Sequence, residues 1–326
     1  MLHRCHVPPE AAGQRLDQWL EQALDGCSRS LVARCIRDQR CEMSAGKVKP
    51  GYRLRGGEVI DIEVPEIEPL AIHPETIPLA ILYEDDDLLV IDKAPGMVVH
   101  PAVGHRYGTV LAAVLGRYGS CADDPQAPGL IHRLDADTSG VLAIARHPQA
   151  LTYFQDQFRQ RQVEKRYLAL CAGTARSDWW TCREAIGRHP KDFRKRSVVP
   201  SERSGARSAH TDFRVRQRSP HYMAVEACLH TGRTHQIRVH LAHAGHPVLA
   251  DAVYGRHGQW PLQGAPILQR QGLHAWSLGL SLSDGSFRRF FASVPADMAA
   301  LVDPTVLNEG PVLSDGDQPA VASAKP

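Results

Sequence analysis

His132-Arg133-Leu134-Asp135-Ala136-Asp137-Thr138-Ser139-Gly140 follows the loop signal Pro128-Gly129 and runs into the apolar segment Val141-Leu142-Ala143-Ile144-Ala145. The apolar run reads as a buried strand, which would hold the preceding loop rigidly. Within the loop a basic residue and a carboxylate stand two apart. Thr138, Ser139 and Gly140 follow, able to hydrogen-bond the loop's own backbone and permit a tight bend. Such an arrangement presents a reactive carboxylate. On spacing alone it equally describes a loop with a surface Arg–Asp pair, and such pairs contribute little.

The pattern His132-Arg133-Leu134-Asp135-x-x-Thr138-Ser139-Gly140 resembles the signature of bacterial pseudouridine synthases that modify ribosomal and transfer RNA, specifically their RluA/RluD branch. Further segments resemble that branch in the same order. They are the run from Tyr83-Glu84-Asp85 to Val99-His100-Pro101; Glu164-Lys165-Arg166-Tyr167; Gly232-Arg233-Thr234-His235-Gln236-Ile237-Arg238-Val239-His240; and Gly245-His246-Pro247 leading to Tyr254-Gly255. The resemblance spans roughly residues 12 to 300.

A chain of 326 residues can bury a large core and form more than one domain. Its 43% hydrophobic and 23% charged residues are ordinary for a globular protein and leave the function open. The net charge of +2 hides a segregation. From Arg176 to Arg218 there are twelve Lys or Arg against five Asp or Glu, a local +7, whereas Pro65 to Gln126 has three basic and ten acidic residues. A concentrated basic stretch suits a polyanion, although it can also be a solvated face. The eight cysteines form no C-x-x-C pair and read as reduced thiols of a cytoplasmic protein. No uncharged run approaches the roughly 18 residues of a membrane span, so no membrane partner is expected.

Along the chain, Leu16, Trp19, Leu20, Ala23 and Leu24 form an amphipathic helical stripe. A second helix, capped by Ser28 or Ser30, buries Leu31, Val32, Cys35 and Ile36 and leaves Arg29, Arg34, Arg37 and Arg40 outside to track phosphates. Val59 to Val64 alternates as a half-buried strand. This helix–helix–strand unit, residues 12–66, resembles the small RNA-binding fold of a small-subunit ribosomal protein. Its hairpin departs from the usual Asn-Gly, reading Met43-Ser44-Ala45-Gly46. A small helical domain that merely packs on its neighbour is the alternative. The proline-rich residues 67–79 read as an extended linker. Residues 80–302 are expected to form the catalytic domain, and 303–326 a disordered tail. Short strands without regular βαβ alternation argue for an α+β fold with a mixed, largely antiparallel sheet. The resemblance implies that this sheet is curved, with a central cleft.

Pseudouridine formation breaks the bond from a uracil nitrogen to the sugar, turns the base, and joins its carbon-5 to the anomeric carbon. It needs no redox partner or group donor, and the sequence offers neither a Walker loop nor G-x-G-x-x-G, so no cofactor is expected. The resemblance assigns catalysis to Asp135, acting by a covalent or an elimination route. It places Tyr167 against the base and Arg238 as the cation beside the carboxylate, with Arg233 as the alternative. Arg133 would fill the space left by an extruded nucleotide. The resemblance counts Thr138, Arg233 and His235 among the substrate-binding residues, and His132 with them unless it only fixes the loop. The histidines 235, 240, 243 and 246 lack the spacing of a zinc site, and no metal is expected. These features point to a synthase acting as a monomer on large-subunit (23S) ribosomal RNA. The segment Glu184 to Pro190 favours the RluD-like subgroup, while Arg256 to Gly272 looks shorter than in it. A transfer-RNA synthase, a non-catalytic ribosome-assembly factor and a sugar hydrolase are the competing readings.

Overall fold

The computed structural model describes residues 1–24, 27, 29–43, 46–65, 72–101, 105–120, 128–192, 194–255 and 268–312. The chain separates into two compact units, Met1–Pro69 and Leu70–Pro326.

The first unit contains β1 (Leu2–His6), α1 (Leu16–Ala23), α2 (Arg29–Arg37), β2 (Cys41–Met43), β3 (Gly46–Lys47) and β4 (Val59–Glu63). The apolar stripe behaves as its spacing predicts: Leu16, Leu20 and Leu24 join Val32, Cys35, Ile36, Ile60 and Ile62 in one core. The strands form a sheet in the order β1-β4-β2-β3. Strand β1 lies ahead of the expected start at residue 12. Its sequence, Leu-His-Arg-Cys-His, lacks an apolar alternation, and it is held mainly by antiparallel pairing of Leu2–His6 with Val59–Glu63. The expected cap Ser28 and the hairpin residues Ser44 and Ala45 lie outside the described residues.

The second unit begins earlier than residue 80. Glu75 N–H donates to Ala112 O at 2.9 Å, and the Glu75 carboxylate accepts from Gly108 N. Gly116 is what permits this approach, since a Cβ there would stand 2.2 Å from Glu75 O. The latter part of the expected linker is therefore packed chain, while residues 66–71 lie outside the described set.

In chain order the second unit has β5 (Ala80–Glu84), β6 (Leu88–Lys93), α3 (Val110–Tyr118), β7 (Gly129–Leu130), β8 (Ser139–Ala145), α4 (Pro148–Gln160), β9 (Glu164–Ala172), β10 (Trp179–Cys182), β11 (Ile186–Arg188) and β12 (Arg196–Val198). It continues with β13 (Thr211–Arg218), β14 (Tyr222–Leu229), α5 (Gln236–His243), β15 (Leu273–Ser281), β16 (Phe287–Phe291), α6 (Ala296–Ala299) and α7 (Pro304–Glu309). Ten strands make one sheet along the path β10-β13-β14-β9-β15-β8-β6-β5, with β16 beside β15 and β7 beside β8. Every pairing is antiparallel except β15 with β8. This is the mixed, largely antiparallel sheet of an α+β fold. The unalternating apolar run Val141–Ala145 is explained by its place in mid-sheet, buried on both faces.

Residues Pro304–Glu309, expected within a disordered tail, form helix α7. Asp303 accepts from Thr305 N at 2.8 Å as a helix cap, Pro304 opens α7, and Val306 is buried. An acceptor followed by proline at the first helical position is a start signal that the polar composition obscured. Residues 313–326 lie outside the described set.

Candidate active site

The loop carrying Asp135 enters β8 at the middle of the large sheet. Gly140 and Tyr167 are both register partners of Ala275 on β15, so this strand brings the end of the loop and β9 together. Gly140 has φ +110°, and a Cβ there would stand 2.2 Å from Ala275 O, so only glycine fits. The loop is held from several sides. Ala136 O accepts from Gly96 N and from Lys93 Nζ, at 2.9 and 2.7 Å. Thr138 N donates to Asp135 O, and Gln271 Nε2 donates to Thr138 Oγ1 at 2.7 Å. Lys93 is almost wholly buried, also donates to Ala94 O and Met97 O, and is pushed down to about 8 by burial.

Thr138, expected at the substrate, and His132, expected there or as a fixture of the loop, both make contacts that hold the loop. Thr138 is 2% exposed and its hydroxyl is taken by Gln271. His132 stacks on Phe158, and its Nε2 accepts from Ala143 N at 3.1 Å. Burial, reinforced by the Lys165 charge, pushes this imidazole down to about 3. Both hold the loop from beneath.

Arg238 comes from α5 and reaches two carboxylates. Its Nη1 donates to Asp135 Oδ2 at 2.7 Å; its Nε and Nη2 donate to Asp251 Oδ2 and Oδ1 at 2.7 and 2.9 Å. Asp251 is itself fixed, its Oδ1 accepting from Val253 N and Tyr254 N. Burial works against ionisation of Asp251, but Arg238 and the two amides outweigh it and hold the carboxyl below its ordinary value. The Asp135 side chain remains 22% exposed, whereas that of Asp251 is fully covered. One carboxylate is thus available for chemistry, and the other positions the guanidinium. Of the two candidate cations, Arg238 makes the pairing. Arg233 turns away, donating through Nε to Ser208 O.

His235 occupies the cap position of α5 in a left-handed conformation, φ 59° and ψ 21°. Its Nδ1 lies 2.8 Å from Tyr254 Oη, and its Nε2 lies 3.8 Å from Asp135 Oδ1. Tyr254 Oη accepts from Arg196 N at 2.8 Å, leaving its own proton for His235 Nδ1. In that tautomer Nε2 carries a hydrogen directed at Asp135. Burial lowers the imidazole's pKa despite the neighbouring Asp135 charge. The Tyr254 ring also lies under Arg238, 5.0 Å from the guanidinium. The Tyr167 hydroxyl has no hydrogen-bond partner among the described residues; burial, aided by the Asp135 charge, raises its pKa and keeps the phenol protonated.

Arg133 is exposed and makes no ion pair among the described residues. Elsewhere Arg233 feels two like charges, Arg207 and Arg161: burial and then these lower its pKa, while burial, aided by the Arg161 and Arg233 charges, pushes Lys165 down to about 8. The four histidines of the motif-three region disperse. His240 bonds Thr211 and Glu184 O, and His246 bonds Ala172 O. In the first unit, Arg34 and Arg37 are exposed on α2 and Arg40 follows the helix, which Gln39 ends at φ 59°. Arg29 is already paired with the buried Asp17 at 3.0 Å, and so differs from the other three.

The family model described as RNA pseudouridylate synthase matches residues 87–243. The ribosomal large subunit pseudouridine synthase D of Xanthomonas campestris is 39% identical over 92% of this chain and 92% of its own length. This chain belongs to the RNA pseudouridine synthase family. The synthase is also similar to the enzyme of the same name from Escherichia coli, 37% identical over 91% of this chain and 92% of that one. Among solved structures, the human RNA pseudouridylate synthase domain containing 1 is 26% identical, with a TM-score of 0.56 over 72% of the synthase and 90% of that chain. Sequence reasoning singled out Asp135, Tyr167 and Arg238, which do come together. It gave no site role to Asp251, Tyr254 or Lys93, whose signal was their presence inside or between segments resembling the branch.

Proposed function

We propose that the synthase isomerises uridines of large-subunit (23S) ribosomal RNA, with Asp135 as the group that acts at the sugar. The observation that carries this reading is the Asp135–Arg238–Asp251 chain: a partly open carboxylate held by a guanidinium that a fully buried second carboxylate fixes. Cleavage of the glycosidic bond develops positive charge at the anomeric carbon. An ionised carboxylate beside it can attack that carbon or remove the neighbouring sugar proton, and both routes need the charge that Arg238 supports. Tyr167, as a neutral phenol next to Asp135, would stack on the uracil and retain it while it turns. Arg133 would fill the vacated stack. Arg161, Lys165, Arg207 and Arg233 gather like charges at an electrostatic cost, which a phosphate backbone offsets. Arg34, Arg37 and Arg40 would extend the grip from an RNA-binding first unit.

The large-subunit target is favoured by the names of the relatives from Xanthomonas and Escherichia. An enzyme with that target works in the cytoplasm, where ribosomes assemble. Mapping pseudouridine across ribosomal and transfer RNA, with and without the gene, tests the assignment. Sites confined to transfer RNA would overturn the target. Asp135→Asn keeps volume and polarity but removes the charge. It should leave less than about one per cent of the turnover with RNA affinity retained, and greater residual turnover would remove Asp135 from its role.

A further inference from the structure

Outside the Asp135 group, β13 and β14 carry a second concentration of ligating side chains. His210 immediately precedes β13 and His230 immediately follows β14, and His230 N–H donates to His210 O at 3.2 Å across the strand pair. Their rings stack with centroids 4.1 Å apart. Two residues further along each strand, Asp212 is the register partner of Cys228. Residues two apart share a face, so His210, Asp212, Cys228 and His230 occupy the corners of one patch. The Asp212 carboxylate lies between the imidazoles, with Oδ1 3.1 Å from His210 Nε2 and Oδ2 2.6 Å from His230 Nε2. Thr181 on β10 donates to Oδ1 at 2.6 Å.

We propose that His210, Asp212 and His230 bind one divalent transition-metal ion of the zinc class. The ligating atoms of the three already lie within 4.8 Å of one another. Bonds of about 2.0–2.2 Å in a tetrahedral site separate ligand atoms by about 3.3–3.6 Å, so the 2.6 Å His230–Asp212 contact must open by roughly 0.7–1 Å and the stacked rings must splay for both Nε2 atoms to face one ion. The ion then replaces the two hydrogen bonds to the carboxylate. Two imidazoles and one carboxylate suit zinc, cobalt or nickel, whereas magnesium and calcium prefer oxygen donors throughout. The surroundings are those of a supported site. Thr181 orients Asp212, His210 N donates to Thr231 Oγ1 at 2.9 Å, and the side-chain exposures of 25%, 12% and 39% for His210, Asp212 and His230 leave a path for entry. Gln236, which opens α5, donates to His210 O and accepts from Thr231 Oγ1, so an ion here would brace the turn leading to Arg238.

The test uses the full chain, stripped with a chelator and titrated with zinc by calorimetry and with cobalt by visible absorption. One ion per chain is expected, with micromolar or tighter affinity, the ligand-field bands of a low-coordinate cobalt site, and a rise in the melting midpoint on loading. Magnesium should not compete. Asp212→Asn and the more exposed His230→Gln should each weaken cobalt binding by about 100-fold or more, while His243→Gln, outside the patch, should bind as the parent does. Circular dichroism of the metal-free variants separates lost binding from lost folding, and His230→Gln serves if Asp212→Asn fails to fold. No saturable one-to-one uptake by the parent, a preference for magnesium, or parental affinity in His230→Gln would overturn the proposal and leave the cluster as a hydrogen-bonded array.

Discussion

Arg238 serves two carboxylates with different tasks, and substitutions on either side should separate them. Arg238→Met removes the counter-charge from Asp135, so ionisation becomes harder and the acidic limb of the pH–rate profile should move upward as turnover falls. Asp251→Asn keeps the shape of the clamp but loses its charge. Turnover should fall by about 10- to 100-fold with little change in KM, while the acidic limb moves downward because a negative charge near Asp135 has gone. Asp251→Glu should recover less than the native rate because its longer side chain cannot keep both oxygens on the guanidinium and the amides of Val253 and Tyr254. An upward limb in Asp251→Asn would mean that Arg238 had swung away and that Asp251 acts only by holding it. Asp135, Tyr167 and Arg238 were legible because each sits inside a short pattern. Asp251 was not, because its partner lies across a turn that includes Ala250 at φ 54°, and no local spacing announces such a return. The pattern did not tell which way the side chains of His132 and Thr138 turn, since it identifies residues and not their orientations.

At the scale of elements, the apolar run Val141–Ala145 located β8 because a mid-sheet strand is buried on both faces, and the stripe Leu16–Leu24 located α1 because burial of one face imposes a period of 3.6. Neither pattern could reveal that β15, far along the chain, inserts between β8 and β9 and assembles the site. Two of the elements concerned also carry buried histidines that fix a pH dependence. His274 on β15 donates through Nε2 to Ala292 O and accepts at Nδ1 from Ser139, and His240 on α5 likewise donates to Glu184 O and accepts from Thr211. Both rings are held neutral, and burial, partly offset by these carbonyls, pushes each down to about 4. A histidine with a depressed folded pKa contributes its full stability above its unfolded value near 6.5, and loses it as pH falls from there toward 4. Each should cost about 2 kcal/mol between pH 6.5 and 5. Melting midpoints across that range should therefore fall, and more gently in His240→Gln, whose neutral amide has nothing to protonate. A midpoint that stays level from pH 7 to 5 would contradict the buried, neutral assignment.

For the whole molecule, the segregation of charge was legible from composition, but the division of labour between the two units has to be measured. All the residues of the Asp135 group belong to the second unit, while the first has its own core and sheet. Removing Met1 to Pro65 should therefore weaken RNA binding and leave chemistry intact on a short saturating substrate. The salt dependence gives the sharper readout. For every phosphate that a cation no longer neutralises, the slope of log affinity against log salt falls by about 0.7 to 0.9, depending on strandedness. Of the four arginines on and after α2, Arg29 is already committed to Asp17, so Arg34, Arg37 and Arg40 remain, and their loss should flatten the slope by about 2 to 3. Replacing these three with glutamine in the full chain should reproduce most of that change, whereas Arg29→Gln should alter stability more than slope, because it leaves the buried Asp17 with Arg15 alone. An unchanged slope would make the arginine face merely solvated. A folded truncation without activity would mean that the first unit completes the active site, and the second unit would then not be the self-sufficient catalyst its residues imply.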